Sequence, residues 1–268
     1  MIRVGIVGAG TIGAELARQC ANVFKEEVRL VGIVDADANR ERLIRKELGL
    51  TRSFKLEQLV PQVDLVVEAA SAAAAYPIAK LALSHGKDVM IMSAGGLVHH
   101  ELAIWKLAAE HRSCVYLPSG AIAGLDGLKC ASIGKLRRVS LTTRKNPISF
   151  RGAPYIVKKK IDLNTIREET LLFDGTAEKA IEGFPQNINV SATLSLAGIG
   201  AKKTRVKIYA CPGLTHHVHE VAIEGDFGSI YTRTQNLPSK KNPKTSHLAI
   251  LSAVATLRRI FANVKIGT

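Results

Sequence analysis

Three glycines, Gly8, Gly10 and Gly13, lie in the run Val4-Gly5-Ile6-Val7-Gly8-Ala9-Gly10-Thr11-Ile12-Gly13, after an apolar stretch and ahead of one with helical periodicity. That spacing is what a backbone needs to curl around a pyrophosphate. Gly8 permits the tight turn, Gly10 leaves the backbone bare for close approach, and Gly13 lets the helix pack on the strand. A helix beginning near Thr11 and Ile12 then aims its unbonded amides at the anion. A second apolar run, Leu30-Val31-Gly32-Ile33-Val34, ends at Asp35, whose carboxylate is placed to accept both hydroxyls of an adenosine ribose and to repel a 2′-phosphate. The expected ligand is therefore a dinucleotide, NAD, with NADP accepted less favourably because Arg40 is near enough to pair with that phosphate. The competing readings are a glycine turn without ligand and an Asp35 that only caps the next helix.

Further along, His217 and His219 share one face of an extended segment with Val221 and Ile223, while His216, Val218, Glu220 and Ala222 share the other. Imidazole titrates near neutrality, so His219 is suited to move protons during a hydride transfer. By position alone it is equally a hydrogen-bonded core histidine. In Phe184-Pro185-Gln186-Asn187-Ile188-Asn189 the amides suit a helix start, with Asn187 as the cap. Asn242-Pro243-Lys244-Thr245-Ser246 opens the last helix, where Lys244, Thr245 and Ser246 either hold a substrate carboxylate or merely cap.

These residues need elements to position them. The first half alternates apolar runs with amphipathic ones, giving strands at Ile2–Val7, Val28–Val34, 64–68, 88–92 and 114–117 and helices at 12–24, 39–48, 72–84 and 100–111. Beyond Asp126 longer alternating runs at 136–143, 167–173, 204–210, 216–224 and 229–234 surround helices at 177–181 and 189–196. The fold class expected is α/β, a Rossmann-type parallel-sheet domain plus a second α+β domain with a mostly antiparallel sheet. The expected boundaries are 1–125 for the dinucleotide-binding domain and 126–239 for the substrate and catalytic domain, with a C-terminal helix within 240–268 folding back onto the first. Strand ends at 68–71, 93–97 and 118–126 are rich in small residues, which leaves room for a ligand beyond the sheet.

Composition excludes other classes. The 268 residues carry a net charge of +14, but no helix-turn-helix, zinc-finger or RNA-recognition pattern accompanies the basic residues, so nucleic acid is not an expected partner. Composition alone does not choose between anionic small molecules and a simply solvated basic surface as the reason for the charge. Apolar windows are too short to cross a bilayer and no cleavable leader is evident, which predicts a cytoplasmic protein without membrane contact. The four cysteines, Cys20, Cys114, Cys130 and Cys211, are widely spaced and read as reduced, mostly buried thiols, with no metal site. None has the setting of a nucleophile, which argues against dehydrogenases that form a thioester.

The segments PSGAIAGLD, LFDGTAEKAIEGFPQNINV, HHVHEVAIEGDFG and NPKTSHLAILS, in this order, resemble the L-aspartate dehydrogenase family, and with the N-terminal loop the resemblance spans essentially the whole chain. It implies NAD(P) contacts at Ala123 and Asn189, a catalytic histidine at His219, and a homodimer. The implied reaction is NAD(P)-dependent oxidation of L-aspartate to iminoaspartate, which is hydrolysed to oxaloacetate and ammonia or feeds pyridine nucleotide biosynthesis. Many relatives carry Asn at the position of His217, and residues 154–160 are less typical of the family. The alternatives are another amino-acid-pathway oxidoreductase, such as a homoserine dehydrogenase, and a non-catalytic nucleotide sensor.

Overall fold

In chain order the elements are β1 (Ile2–Val7), α1 (Thr11–Arg18), β2 (Val28–Val34), α2 (Ala38–Glu47), α3 (Leu56–Leu59), β3 (Leu65–Glu68), α4 (Ala72–Ser84), β4 (Asp88–Ile91), α5 (Glu101–His111), β5 (Val115–Tyr116), α6 (Leu125–Ala131), β6 (Leu136–Lys145), α7 (Pro154–Lys158), β7 (Thr170–Thr176), α8 (Ala177–Gly183), α9 (Asn189–Ala197), β8 (Arg205–Ala210), β9 (His217–Gly225), β10 (Gly228–Asn236) and α10 (His247–Phe261). The structure is a computed structural model and describes residues 1–185, 189–240, 242 and 245–267. It divides into two compact units, Met1–Pro118 with Ile250–Lys265, and Ser119–Ala249 with the last residues.

The first unit is built on a parallel sheet of five strands in the order β2-β1-β3-β4-β5. Val4, Ile6, Leu65, Val67 and Met90 are buried in its core, as expected for parallel strands covered on both faces. Ala253 and Leu257 of α10 join that core, and Phe261 meets Phe24 edge to face with ring centroids 5.1 Å apart. The helix expected over 12–24 is α1 followed by a π-helical turn, Gln19–Val23, closed by the Phe24 amide on the Gln19 carbonyl at 2.9 Å. The two short helical turns at 56–62 fall in a stretch without enough periodic residues to reveal them.

The second unit's sheet runs β10-β9-β6-β8-β7, antiparallel except for the parallel pair β6 and β8. One face is apolar: Val139 and Leu141 of β6, Val221 and Ile223 of β9 and Val206 and Ile208 of β8 pack with Phe150, Phe173 and Phe184. The other face carries an ionic network in which Glu220 takes both Arg144 and Arg233, and Arg144 also reaches Glu169. That alternation is the ordinary consequence of a half-covered antiparallel sheet.

The expectation of mostly buried cysteines is met by Cys20 and Cys211 only, whereas Cys114 and Cys130 are exposed. Cys114 precedes the two-residue edge strand β5, and Cys130 sits between the buried Leu128 and Ala131 on the outer side of the short α6. No described helix is long and apolar enough to cross a membrane.

Candidate active site

In the first unit the glycine loop joins β1 to α1. Gly8 has φ +104, and a Cβ there would lie 2.4 Å from the Ala69 carbonyl oxygen, so the loop closes directly onto the end of β3. At Gly13 a Cβ would lie 1.8 Å from the Gly8 carbonyl oxygen. The close approach that requires Gly13 is thus to the loop itself, with the Ala69 side chain beside it, more than to the strand. Around Gly10 there is open space. The first intrahelical bond is Ala14 N–H to the Gly10 carbonyl at 2.9 Å, so the amides of Thr11, Ile12 and Gly13 precede the ladder and have no partner within the helix. A bare backbone, helix amides and no acidic residue in the first turn fit a pyrophosphate.

Asp35 follows β2 directly. Its Oδ2 accepts from the Ala9 amide and its Oδ1 from the Asp37 amide at 2.7 Å, which ties the strand end to the glycine loop. The helix cap is instead Asp37, which accepts from the Asn39 and Arg40 amides. Arg40 Nη1 lies 3.7 Å from Asp35 Oδ2, so the same guanidinium that would welcome a 2′-phosphate leans on the carboxylate that would repel it.

Glu68 escaped the sequence reading. Fully buried at the end of β3, it accepts from the Ala70 amide at 2.8 Å and from the Ser93 amide and hydroxyl at 2.9 Å each, clamping the loop after β3 to the loop after β4. Burial raises its pKa against the opposing pull of those donors. An acid closing an otherwise apolar strand run was the available signal.

In the second unit the apolar face of the sheet turns polar at one end. Strand register places Thr143, His219 and Thr234 in one row across β6, β9 and β10, and Asn236 opposite His217 in the next. Lys145, one residue beyond the Arg144–Val218 pair, continues that second row beside His217. Thr143 Oγ1 and His219 Nδ1 are hydrogen-bonded at 2.9 Å, and His217 Nδ1 and Ser246 Oγ at 3.0 Å. Burial, reinforced by the charge of Lys145, pushes His217 down to about 4 and His219 well below its ordinary value. Lys145 itself is pushed down to about 8 by burial.

The segment carrying Ala123 is held on β10: Asn236 Nδ2 and Thr234 Oγ1 each donate to the Ala121 carbonyl at 2.9 Å, and Thr232 Oγ1 to that of Ala123 at 3.0 Å. Asn189 is the exposed first residue of α9, and the next residue, Val190, packs over Gly120. The 120–124 segment is thus held by Thr234, which shares a row with His219, and is packed by the residue that follows Asn189. The last helix, expected over Thr245–Phe261 with 242–246 at its opening, begins two residues later at His247, because 237–239 and 245–247 are bridged as short extended strands. Ser246 is buried against His217, Thr245 is half-buried in that bridge, and Lys244 and Asn187 lie outside the described residues.

Thr143, Lys145 and Asn236 were missed as well. The strand expected over 136–143 stopped two residues short of Lys145, although Val139, Leu141, Thr143 and Lys145 keep a strict alternation. Neither buried thiol is poised as a nucleophile: burial pushes Cys20 up to about 12, and burial with Glu169 pushes Cys211 up to about 11. Among the described residues no His, Cys, Asp and Glu side chains gather in a way that would hold a metal ion.

The family model for the aspartate dehydrogenase C-terminal domain matches residues 126–260, and that for the homoserine dehydrogenase NAD binding domain matches residues 8–118. Proteins named L-aspartate dehydrogenase from Methanosarcina barkeri and Methanosarcina acetivorans are 43% and 44% identical to the chain, with all of both chains covered. The crystal structure of the aspartate dehydrogenase of Thermotoga maritima matches with a TM-score of 0.73 at 25% identity, again over the full length of both chains. A hyperthermophilic archaeal homoserine dehydrogenase, solved with NADPH, shares the fold at a TM-score of 0.57 and 14% identity, with 98% of this chain and 99% of that one covered.

Proposed function

The chain belongs to the L-aspartate dehydrogenase family, and from that premise we propose how its own residues perform the NAD(P)-dependent oxidation of L-aspartate to iminoaspartate. The observation that carries the reading is the buried His219 held by Thr143 at the polar end of the second sheet. A pyridine nucleotide, when bound, accepts the hydride that leaves the substrate Cα. Gly8, Gly10 and Gly13, with the amides of Thr11 and Ile12, hold its pyrophosphate, Asp35 its adenosine ribose, and Ala123 and Asn189 its nicotinamide end.

His219 is neutral at working pH, so its Nε2 takes the proton that the substrate ammonium must lose before the C=N bond can form. The Thr143 hydroxyl accepts from Nδ1–H in that state and also serves the imidazolium, which fixes the ring in place throughout. Water then adds to the imine, giving oxaloacetate and ammonia, or the imine is passed on to pyridine nucleotide biosynthesis. On this reading Thr245 and Ser246 serve the substrate, and the unit that contains them is the catalytic domain.

NAD is the preferred cofactor on this reading, because the Asp35 carboxylate disfavours a 2′-phosphate and Arg40 only softens that preference. The working form is a cytoplasmic homodimer. Family resemblance supports the dimer, and four free, widely spaced thiols support a reducing compartment. Light scattering and the ratio of kcat/KM values for the two cofactors test these points.

The direct test follows NADH absorbance with L-aspartate, D-aspartate, glutamate and homoserine. Turnover of L-aspartate is expected, and turnover of homoserine alone would remove the substrate assignment. His219→Ala is expected to lose turnover while retaining NAD affinity, and near-normal activity in it would remove the role given to His219.

A further inference from the structure

At the carboxyl edge of the first sheet three loops meet backbone against backbone. The strand order β2-β1-β3-β4-β5 turns back between β1 and β3, and the crevice at such a reversal is where an open α/β sheet binds its ligand. Glu68 stands at that point. Strand register sets it opposite Val7, the residue before Gly8, on one side and opposite Ile91 on the other. Two glycines show how closely the loops lie: a Cβ on Gly8 would come within 2.4 Å of the Ala69 carbonyl oxygen, and one on Gly96 within 1.9 Å of that of Ala72. The glycine loop therefore rests on the segment after β3, and the turn at 94–97 rests on the start of α4.

The Glu68 carboxylate ties the same loops together. Oε1 accepts from the Ala70 amide at 2.8 Å and from the Ser93 hydroxyl at 2.9 Å, and Oε2 accepts from the Ser93 amide at 2.9 Å. A fully buried carboxylate is a costly way to fill space, and a neutral side chain would fill it as well. Three donors on two separate loops give the charge a task that packing alone does not require. We propose that Glu68 is a positioning residue for the pyridine nucleotide: it fixes the loops after β3 and β4 in the arrangement that the cofactor takes, without touching the cofactor. The inference rests on the cofactor reading above and adds to it the group that preorganises the crevice.

Glu68→Gln tests this by keeping the shape and replacing one acceptor oxygen with an NH2 group. Either the Ala70 or the Ser93 amide then faces a donor, and the free protein relieves this by shifting a loop, a shift that binding must reverse. By calorimetry the Kd values of NAD+ and NADH are both expected to rise about 5- to 150-fold, the worth of one buried amide left without its acceptor. At saturating NAD+ and L-aspartate kcat is expected to stay within about fivefold of wild type, because the bound cofactor restores the loops. An unchanged Kd would overturn the inference. So would a loss confined to NAD+, since the charge would then be meeting the cationic ring directly.

Leu83→Ala separates positioning from general instability. Leu83 is buried at the far end of α4, about 16 Å along the helix from Ala72, so this variant is expected to melt lower and yet bind NAD+ as wild type does. An equal loss of affinity in Leu83→Ala would overturn the role given to Glu68. Ser93→Ala deletes one charge-assisted bond and adds no bulk. It is expected to raise the NAD+ Kd about 3- to 10-fold, and it decides the matter if Glu68→Gln does not fold, since an unchanged Kd in it would overturn the inference. In the double variant the two losses are expected to fall short of multiplying, and losses that multiply would mean that Ser93 acts independently of Glu68. Failure of the cofactor reading itself would be visible separately, as absence of NAD+ and NADH binding to the wild-type chain.

Discussion

Thr143→Val isolates what the hydroxyl does for His219. The two side chains are nearly isosteric, Thr143 is 1% exposed and His219 2%, and the bond between them is 2.9 Å, so the change deletes one buried hydrogen bond without opening a cavity. Leaving a buried imidazole nitrogen unsatisfied costs about 1–3 kcal/mol, while the added methyl returns under about 1 kcal/mol of burial. If that loss is expressed fully in the transition state, kcat falls about 5- to 150-fold at 1.36 kcal/mol per decade. Thermal melts are expected to drop by about 3–8 °C. The assay is NADH formation with saturating L-aspartate, on Thr143→Val, Thr143→Ser, His219→Ala and the Thr143→Val/His219→Ala double variant. Thr143→Ser keeps the hydroxyl and is expected to retain most activity. Because Thr143 acts through His219, the double variant is expected to be no slower than His219→Ala alone. A kcat within twofold of wild type in Thr143→Val, or losses that multiply in the double variant, would refute the reasoning.

Other residues give sharper or simpler outcomes. Gly13→Ala would bring a Cβ to 1.8 Å from the Gly8 carbonyl oxygen, so the loop must shift and NAD affinity is expected to fall more than about tenfold by calorimetry, whereas an unchanged Kd would mean the loop does not hold the cofactor. Asp35→Ser removes the carboxylate beside Arg40 and is expected to raise the NADP-to-NAD ratio of kcat/KM at least about tenfold, although loss of the Ala9 and Asp37 bonds should also lower the melting temperature. His217 falls from 6.5 to about 4 on folding, so its contribution is complete above pH 6.5 and is lost as pH falls through about 4; melts at stepped pH should show an acid limb worth up to about 3 kcal/mol that flattens in His217→Gln. Burial pushes Lys145 from 10.5 down to about 8, so its contribution is present above 10.5 and lost as pH falls through about 8; melts at stepped pH should show stability rising between about 8 and 10.5, a limb that flattens in Lys145→Met.

Much of the nucleotide half was legible because its determinants are local. Gly8 and Gly13 are demanded by a turn and helix start only six residues long, Gly10 keeps the backbone beside them bare, and Asp35 lies at the end of a continuous apolar strand. A period of two sufficed to put His217 and His219 on the buried face with Val221 and Ile223. Less legible was Glu68, since its worth depends on Ser93, brought to it by the pairing of β3 with β4. The start of the last helix was misplaced for a similar reason: residues 245–247 bond back to 237–239, a tertiary pairing that overrides the local helix signal.

The nucleotide loop, the histidine face and the family-specific segments were settled by short-range chemistry: backbone sterics, strand alternation and residue type act within a few positions. What only the tertiary structure decided is who stands beside His219. Strand order and register bring Thr143 and Lys145 to it from some 75 residues earlier, across a sheet whose β6 also pairs in parallel with β8. No local pattern encodes that neighbourhood, because register is chosen by how the whole buried face packs, and it is the neighbourhood that sets the charge state of the histidine.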